Sequence, residues 1–193
     1  MSEIFRVLHV CTGNICRSPM AEHLMREGLA QRLGERASAF VVVSAGTFGY
    51  EGEAMDPFAH STLSGFGVDG TRFIARKLEA AMVSSADLVL VATREHRGAA
   101  VVLHPRAARR TFTLREFDRL VSVVDPASLP SGDPVTRAHA LVEAAAANRG
   151  LVRADAPDDD DLADPYKGPE AEFLACGQLI QTVLQRPLDL LAG

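Results

Sequence analysis

The chain places Cys11-Thr12-Gly13-Asn14-Ile15-Cys16-Arg17-Ser18-Pro19 directly after the apolar run Val7-Leu8-His9-Val10 and at the start of a helical pattern, Pro19–Leu33. A strand, a tight turn and a helix start are thereby fixed at one point. The first N–H groups of a helix have no internal partner and point outward. The helix dipole adds positive potential there, so the segment is a natural cradle for an oxyanion such as a phosphate dianion. Arg17 can grip two of its oxygens as a fork. Cys11 lies beneath, and the same field favours thiolate over thiol. The chemistry this predicts is attack by sulfur on phosphorus.

Each residue of the segment has a physical reason. Gly13 permits φ > 0 and a close approach of backbone to ligand. Asn14 tolerates a left-handed conformation and can tie the loop with its amide. Ser18 is expected to N-cap the helix and to donate to the sulfur anion. Pro19 suits the first helical position. Ala21, Leu24, Met25, Leu29 and Leu33 follow at helical spacing.

Further along, Phe5–Val10, Phe40–Ser44, Asp87–Ala92 and Arg110–Leu114 read as short apolar strands. Apolar strands of this kind are buried on both faces. His60–Phe66 and Lys77–Val83 read as helices, the first ending near Gly67. Alternating strands and helices imply an α/β fold, a doubly wound four-stranded parallel sheet with helices on both faces. Ligands bind at the carboxyl ends of such strands, where Cys11 stands. Val121–Pro134 holds prolines at 126, 130 and 134 and reads as irregular, and Thr136–Asn148 reads as a surface helix. Asp155–Asp161 is acidic and without pattern, and reads as a solvated linker rather than a metal site, since cation-ligand spacing and a turn glycine are missing.

Composition sets the outer bounds. The 193 residues carry a net charge of −5, and their densest basic patch is Arg106, Arg109 and Arg110, read as a solvated loop. That argues against nucleic acid as a partner. No apolar run approaches the roughly 20 residues a membrane span needs. Met1-Ser2-Glu3 lacks the basic start of a signal peptide. With three cysteines, too few for a disulfide framework, the expected location is the cytoplasm.

The segment resembles the signature loop of the low-molecular-weight protein tyrosine phosphatases, through Cys-x-Gly-Asn-Ile-Cys-Arg-Ser-Pro and the following Met20-Ala21-Glu22. Val43-Ser44-Ala45-Gly46-Thr47, Gly52 to Asp56-Pro57, Ala75-Arg76-Lys77-Leu78 and Ala86-Asp87-Leu88-Val89-Leu90 are similar to later landmarks of that family in the same order. Asp161-Leu162-Ala163-Asp164-Pro165-Tyr166 resembles its acid loop. The likeness covers residues 4–117 and 161–186 and implies one phosphatase domain over residues 1–193, with an unusual inserted segment at about 118–160.

The resemblance implies a metal-independent protein tyrosine phosphatase that needs no cofactor and works through a phosphocysteine. Cys11 is the nucleophile and Arg17 the phosphate clamp. Thr12, Gly13, Asn14, Ile15, Cys16, Arg17 and Ser18 bind phosphate, mainly through backbone N–H groups. Asn14 and Ser44 support the loop, although Ser44 also reads as a strand-end cap. A positioned acid contributes ~10²–10⁴-fold to ester cleavage. Of the Asp-Pro pairs at 56, 125, 133 and 164, only Asp164 matches the acid loop, with Asp161 as its anchor. Ile15, Tyr50 and Tyr166 line the substrate pocket, either tyrosine being alternatively a packing residue. Cys16 is a reversible disulfide partner for Cys11, or else a small apolar side chain under the loop. Cys176 reads as core.

Related protein-arginine phosphatases carry threonine where this chain has Ile15, which favours phosphotyrosine. The chain departs from the family at Ala163, for a frequent proline, and at Lys167, for a second tyrosine. The implied partners are a phosphotyrosine-bearing protein, a bacterial tyrosine kinase among the candidates, and inorganic phosphate or another oxyanion at the loop. The alternatives are a protein-arginine phosphatase, an arsenate reductase of the same fold, and a non-catalytic phosphotyrosine-binding module. Arsenate reductases usually have glutamine at the position of Pro19 and need more downstream cysteines than Cys176.

Overall fold

The computed structural model describes residues 4–193. Met1–Glu3, part of the reading of the N-terminus, lie outside the described residues. Strands β1 (Phe5–Cys11), β2 (Phe40–Gly46), β3 (Leu88–Val91) and β4 (Thr111–Thr113) form one parallel sheet in the order β2-β1-β3-β4. Helices α1 (Arg17–Leu33), α2 (Pro57–Gly65), α3 (Ala80–Ser85), α4 (Arg94–Leu103), α5 (Leu114–Val121), α6 (Pro134–Asn148) and α7 (Glu170–Ala192) cover it. This is the doubly wound sheet expected from the strand pattern.

Side chains alternate across a strand, so the sheet feeds two cores. Phe5, Val7, Cys11, Val42, Leu88, Leu90 and Phe112 pack with buried residues of α1, α2, α5, α6 and α7. Leu8, Val10, Ala45, Val89 and Val91 pack on the other face with Val83 of α3 and Ala100 of α4. The register pairs Cys11 with Gly46 and His9 with Ser44. The end of β1 thus meets the end of β2, and the order reverses between β1 and β3, where ligands bind in such sheets.

Several element boundaries differ from the sequence reading, each for a local reason. Helix α1 starts at Arg17, and Ser18 does not cap it; Cys16 stands at the cap with no side-chain bond. Helix α2 starts at Pro57 because Asp56 accepts from Phe58 N at 2.9 Å. Helix α3 starts at Ala80 because Lys77 is drawn into a bridge with Gly46. The sequence pattern did not reveal α4 or α5.

The stretch 118–160 differs most. Helix α6 packs on the surface with one face turned inward: Val135, Ala138, Leu141, Val142 and Ala145 lie in the main core, while Thr136, His139 and Glu143 are exposed. Truncating Leu141 to alanine would cost ~2–5 kcal/mol. Buried Arg137 donates to the carbonyls of Pro126, Leu129, Pro130 and Leu190, which orders the proline-bearing stretch before α6. The acidic run is exposed at Asp155, Asp158 and Asp159, as expected of a solvated stretch, but it is anchored by distant arginines. Asp158 and Asp161 pair with Arg94, and Asp160 with Arg119 at 2.8 Å. These arginines lie far away in sequence, so the pattern could not show the pairing.

Candidate active site

The loop between β1 and α1 turns its carbonyls away and keeps its N–H groups. Cys11 O accepts from Thr47 N, Thr12 O from Phe48 N and Gly49 N, Gly13 O from Tyr50 N, and Ile15 O from Asp56 N. In a trans peptide the N–H points opposite to the carbonyl before it. The N–H groups of Thr12, Gly13, Asn14 and Cys16 therefore face the other side. Among the described residues, no backbone N–H from Thr12 to Cys16 has a protein acceptor. A row of such donors at a helix start is an anion cradle. Gly13 is needed for space rather than for its backbone angle, since a Cβ there would lie 2.8 Å from the Tyr50 ring. The left-handed residue is Asn14, with φ 57°.

Beneath the cradle runs a buried polar chain. Cys11 Sγ lies 3.0 Å from Ser18 Oγ, Asn14 Nδ2 donates to Ser18 Oγ at 2.9 Å and to Ser44 Oγ at 2.8 Å, and Ser44 Oγ donates to Glu22 Oε2 at 2.5 Å. The Glu22 carboxylate fixes the direction of the chain, because it only accepts. Both Asn14 protons are then committed, and Ser18 keeps one proton to give. Cys11 Sγ at 3.0 Å and Ala45 O at 3.5 Å lie within its reach, and a Cys11 thiolate, which can only accept, would take it. Ser18 thus serves the sulfur and not the helix end. Arg76 N donates to Asn14 Oδ1 at 2.8 Å, which completes the amide. Glu22 is balanced by Arg26 at 2.6 Å and Arg76 at 3.6 Å. Sequence reasoning missed Glu22, although it stands inside the matched motif.

Arg17 links this loop to the acid loop. Its buried side chain donates from Nη2 to Asp164 Oδ2 at 2.6 Å and to Thr12 Oγ1 at 3.2 Å, and from Nη1 to Leu162 O at 3.2 Å. Among the described residues, Arg17 Nε is buried with no protein partner. Asp161 takes the α4 start as its anchor, accepting from Arg94 N at 2.8 Å and pairing with its side chain. Leu162 N donates to Ala92 O at 2.8 Å. His96, also missed, bridges Thr93 and Thr12.

Cys11, Thr12, Gly13, Ile15, Cys16, Arg17, Tyr50, Asp164 and Tyr166 line one slot of about 60 Å³. The Tyr50 and Tyr166 rings stand 6.1 Å apart at its mouth, with the exposed Phe48 ring edge-on to Tyr50. Lys167 Nζ lies 5.4 Å from the centre of the Tyr166 ring. Cys11, Cys16 and Cys176 are free and buried. Burial, then the Asp56 charge, pushes the Cys16 thiol far up, which keeps it protonated. Among the described residues, no group of three or more His, Cys, Asp or Glu is placed to hold a metal ion.

A buried thiol, a row of loop N–H groups unpaired among the described residues and a carboxyl group meet at the end of a parallel sheet, the arrangement of a phosphatase-type fold. The chain belongs to the low molecular weight phosphotyrosine protein phosphatase family, whose model matches residues 6–149. That match runs past residue 117, where the sequence motifs break off, and stops short of Asp164. The probable low molecular weight protein-tyrosine-phosphatase EpsP of Ralstonia nicotianae is 34% identical over 120 residues, 62% of this chain and 77% of that protein. The protein-arginine-phosphatase of Geobacillus stearothermophilus is 28% identical over 182 residues, 94% of this chain and 93% of that protein. The solved YwlE arginine phosphatase from Geobacillus stearothermophilus aligns with a TM-score of 0.67 at 29% identity, covering 96% of this chain and 91% of the other.

Proposed function

We propose that the chain hydrolyses phosphotyrosine monoesters on proteins without a metal or organic cofactor. One observation carries the reading: Cys11, Arg17 and Asp164 converge on a single slot walled by Tyr50 and Tyr166. The Cys11 thiolate attacks phosphorus in line. Arg17 and the loop N–H groups hold the equatorial oxygens. As the P–O ester bond breaks, protonated Asp164 gives its proton to the leaving oxygen, leaving a phosphocysteine and the phenol. Asp164 then takes a proton from water, the water oxygen attacks phosphorus, and the S–P bond breaks. Phosphate and the thiolate are released. The hydrogen bond from Ser18 stabilises negative charge on the sulfur in both steps.

The proposed partner is a phosphotyrosine-bearing protein, a bacterial tyrosine kinase among the candidates, and the proposed location is the reducing cytoplasm. Its support is a reaction that needs a free thiol. No described helix is long and apolar enough to cross a membrane. Cys16 is proposed as the redox partner of Cys11, since both line the slot. Residues 1–193 are proposed as one domain, in which α6 and the acidic run deliver Asp164.

A second reading, arginine phosphatase, is favoured by the near full-length match to the Geobacillus protein. The aromatic walls and the aliphatic Ile15 favour a phenyl ring instead. The deciding experiment compares initial rates on an aryl phosphate and on phosphoarginine, in chelator and reductant, for wild type, Cys11→Ser and Asp164→Ala. Preferred aryl turnover, lost in the first variant, supports the proposal. Preferred phosphoarginine turnover selects the second reading. A strict metal requirement overturns the mechanism. Binding without turnover points to a binding module or an arsenate reductase.

A further inference from the structure

The first turn of α4 touches both loops of the site. Arg94 holds Asp161 of the acid loop, and His96 holds Thr12 of the phosphate loop. The buried His96 ring lies with Nδ1 2.6 Å from Thr93 Oγ1 and Nε2 2.9 Å from Thr12 Oγ1. Burial, and then the Arg17 charge, hold the imidazole below its usual range, so a neutral ring with one N–H is the relevant form.

Both ring nitrogens face a hydroxyl, so the tautomer sets which one donates. Thr93 is the N-cap of α4, and its hydroxyl oxygen accepts from His96 N. In the tautomer with a bare Nδ1, the Thr93 proton goes to that nitrogen, 2.6 Å away. Nε2 then bears the hydrogen and donates to Thr12 Oγ1. That oxygen also accepts from Arg17 Nη2 at 3.2 Å. A hydroxyl has two acceptor sites and one proton to give. With both acceptor sites filled, the proton of the exposed Thr12 hydroxyl is left over and can point into the slot that Thr12 lines.

From this geometry we infer that His96 is a positioning residue acting through Thr12: it fixes the Thr12 hydroxyl as a side-chain donor to the bound oxyanion and gives Arg17 Nη2 a fixed acceptor. The inference rests on oxyanion binding at the loop, as proposed above. It adds to the backbone cradle a side-chain hydrogen bond whose direction is set from the neighbouring helix.

Two measurements on the full chain test it. Long-range proton–nitrogen NMR, with the His96 signals assigned by their loss in His96→Gln, reads the tautomer. A protonated Nε2 with a bare Nδ1 is expected, and the reverse overturns the inference. Direct titration with inorganic phosphate then compares wild type, His96→Leu, His96→Gln, Thr12→Val and the double variant His96→Leu/Thr12→Val. His96→Leu and Thr12→Val are each expected to weaken phosphate by roughly 10-fold, the scale of one hydrogen bond to a charged group. The double variant is expected to be no weaker than either single one, because residues acting through one contact are not additive. His96→Gln, whose amide can still donate to Thr12, is expected to retain most of the affinity. Additive losses, or unchanged phosphate binding with only a lower Tm, overturn the inference. Should His96→Leu fail to fold, unchanged binding in Thr12→Val decides against it. A wild type that binds no phosphate sinks the proposed function and this inference with it. Phosphate binding that His96→Leu and Thr12→Val leave intact sinks this inference alone.

Discussion

Arg17 Nη2 lies 2.6 Å from Asp164 Oδ2, so the proposed phosphate clamp also holds the proposed proton donor. The pair is lopsided, with the Arg17 side chain 5% exposed and that of Asp164 44%. An ionised Asp164 and a bound phosphate dianion therefore compete for one guanidinium. Asp164→Ala is expected to lower kcat on an aryl phosphate by ~10²–10⁴-fold. Inorganic phosphate should inhibit this variant at the same or lower concentration than wild type. Parallel loss of turnover and of phosphate inhibition would show that Asp164 builds the binding site, and would remove it as the acid.

Ile15 lines the slot and packs partly against the core, with its Cγ1 3.4 Å from where a Cβ on Gly13 would sit. A shorter, polar side chain there widens the slot and adds a hydroxyl. Ile15→Thr is expected to raise the ratio of phosphoarginine to aryl phosphate kcat/KM by roughly 10-fold, the usual weight of a small change in an apolar pocket. An unchanged ratio in side-by-side assays would show that position 15 does not choose the substrate.

The strands and the anion loop were legible because local pattern sets them: apolar runs, a glycine, a left-handed asparagine and a helix start. Three of the four Asp-Pro pairs also had a local meaning. Asp56, Asp125 and Asp133 each cap a helical segment whose next residue is proline. Asp164 does not, which leaves it free for the site. What sequence reasoning missed depends on distant partners. His96 meets Thr12 across 84 residues, and Glu22 meets Ser44 across 22. Arg137 organises its proline-bearing neighbours through backbone carbonyls that no side-chain pattern reveals.

Asn14 holds the loop by its amide and by its backbone, and the two parts are separable. Ser44→Ala leaves an Asn14 proton and the buried Glu22 carboxylate short of a partner, which should cost ~1–3 kcal/mol in urea unfolding. Asn14→Ala loses the amide and also places alanine at φ 57°, adding about 1 kcal/mol of strain. Asn14→Gly relieves the strain and not the lost amide. Glycine should therefore recover part of the stability and none of the turnover. Recovery of turnover by glycine would show that the backbone angle alone matters.

Cys16 shares the slot with Cys11, and burial keeps its thiol protonated. Peroxide should convert the Cys11 thiolate to a sulfenic acid, which condenses with the Cys16 thiol to a disulfide and releases water. Mass mapping after peroxide should find a Cys11–Cys16 bridge, and dithiothreitol should restore activity. In Cys16→Ser the expected product is sulfinic acid at Cys11, with activity lost for good. Sulfinic acid at Cys11 in the wild type would deny Cys16 that role.

His9 lies two residues before Cys11, 1% exposed, with Met25 Sδ 3.3 Å from its Nε2. Burial, helped by the Arg26 charge, lowers its pKa to about 3. The unfolded chain returns it to about 6.5. Between these values the unfolded state binds a proton that the folded state refuses. Stability is therefore complete above pH 6.5 and falls as the pH drops toward 3, by about 1.4 kcal/mol per unit. At pH 5 the loss from His9 alone is roughly 2 kcal/mol. His23 and His96 are lowered in the same direction by burial and steepen the slope. His9→Leu removes one titrating group. Urea unfolding between pH 7 and pH 4.5 should show a slope shallower by about one proton than wild type. Equal slopes would mean that His9 takes up its proton inside the folded protein, with the sheet opening locally to admit it.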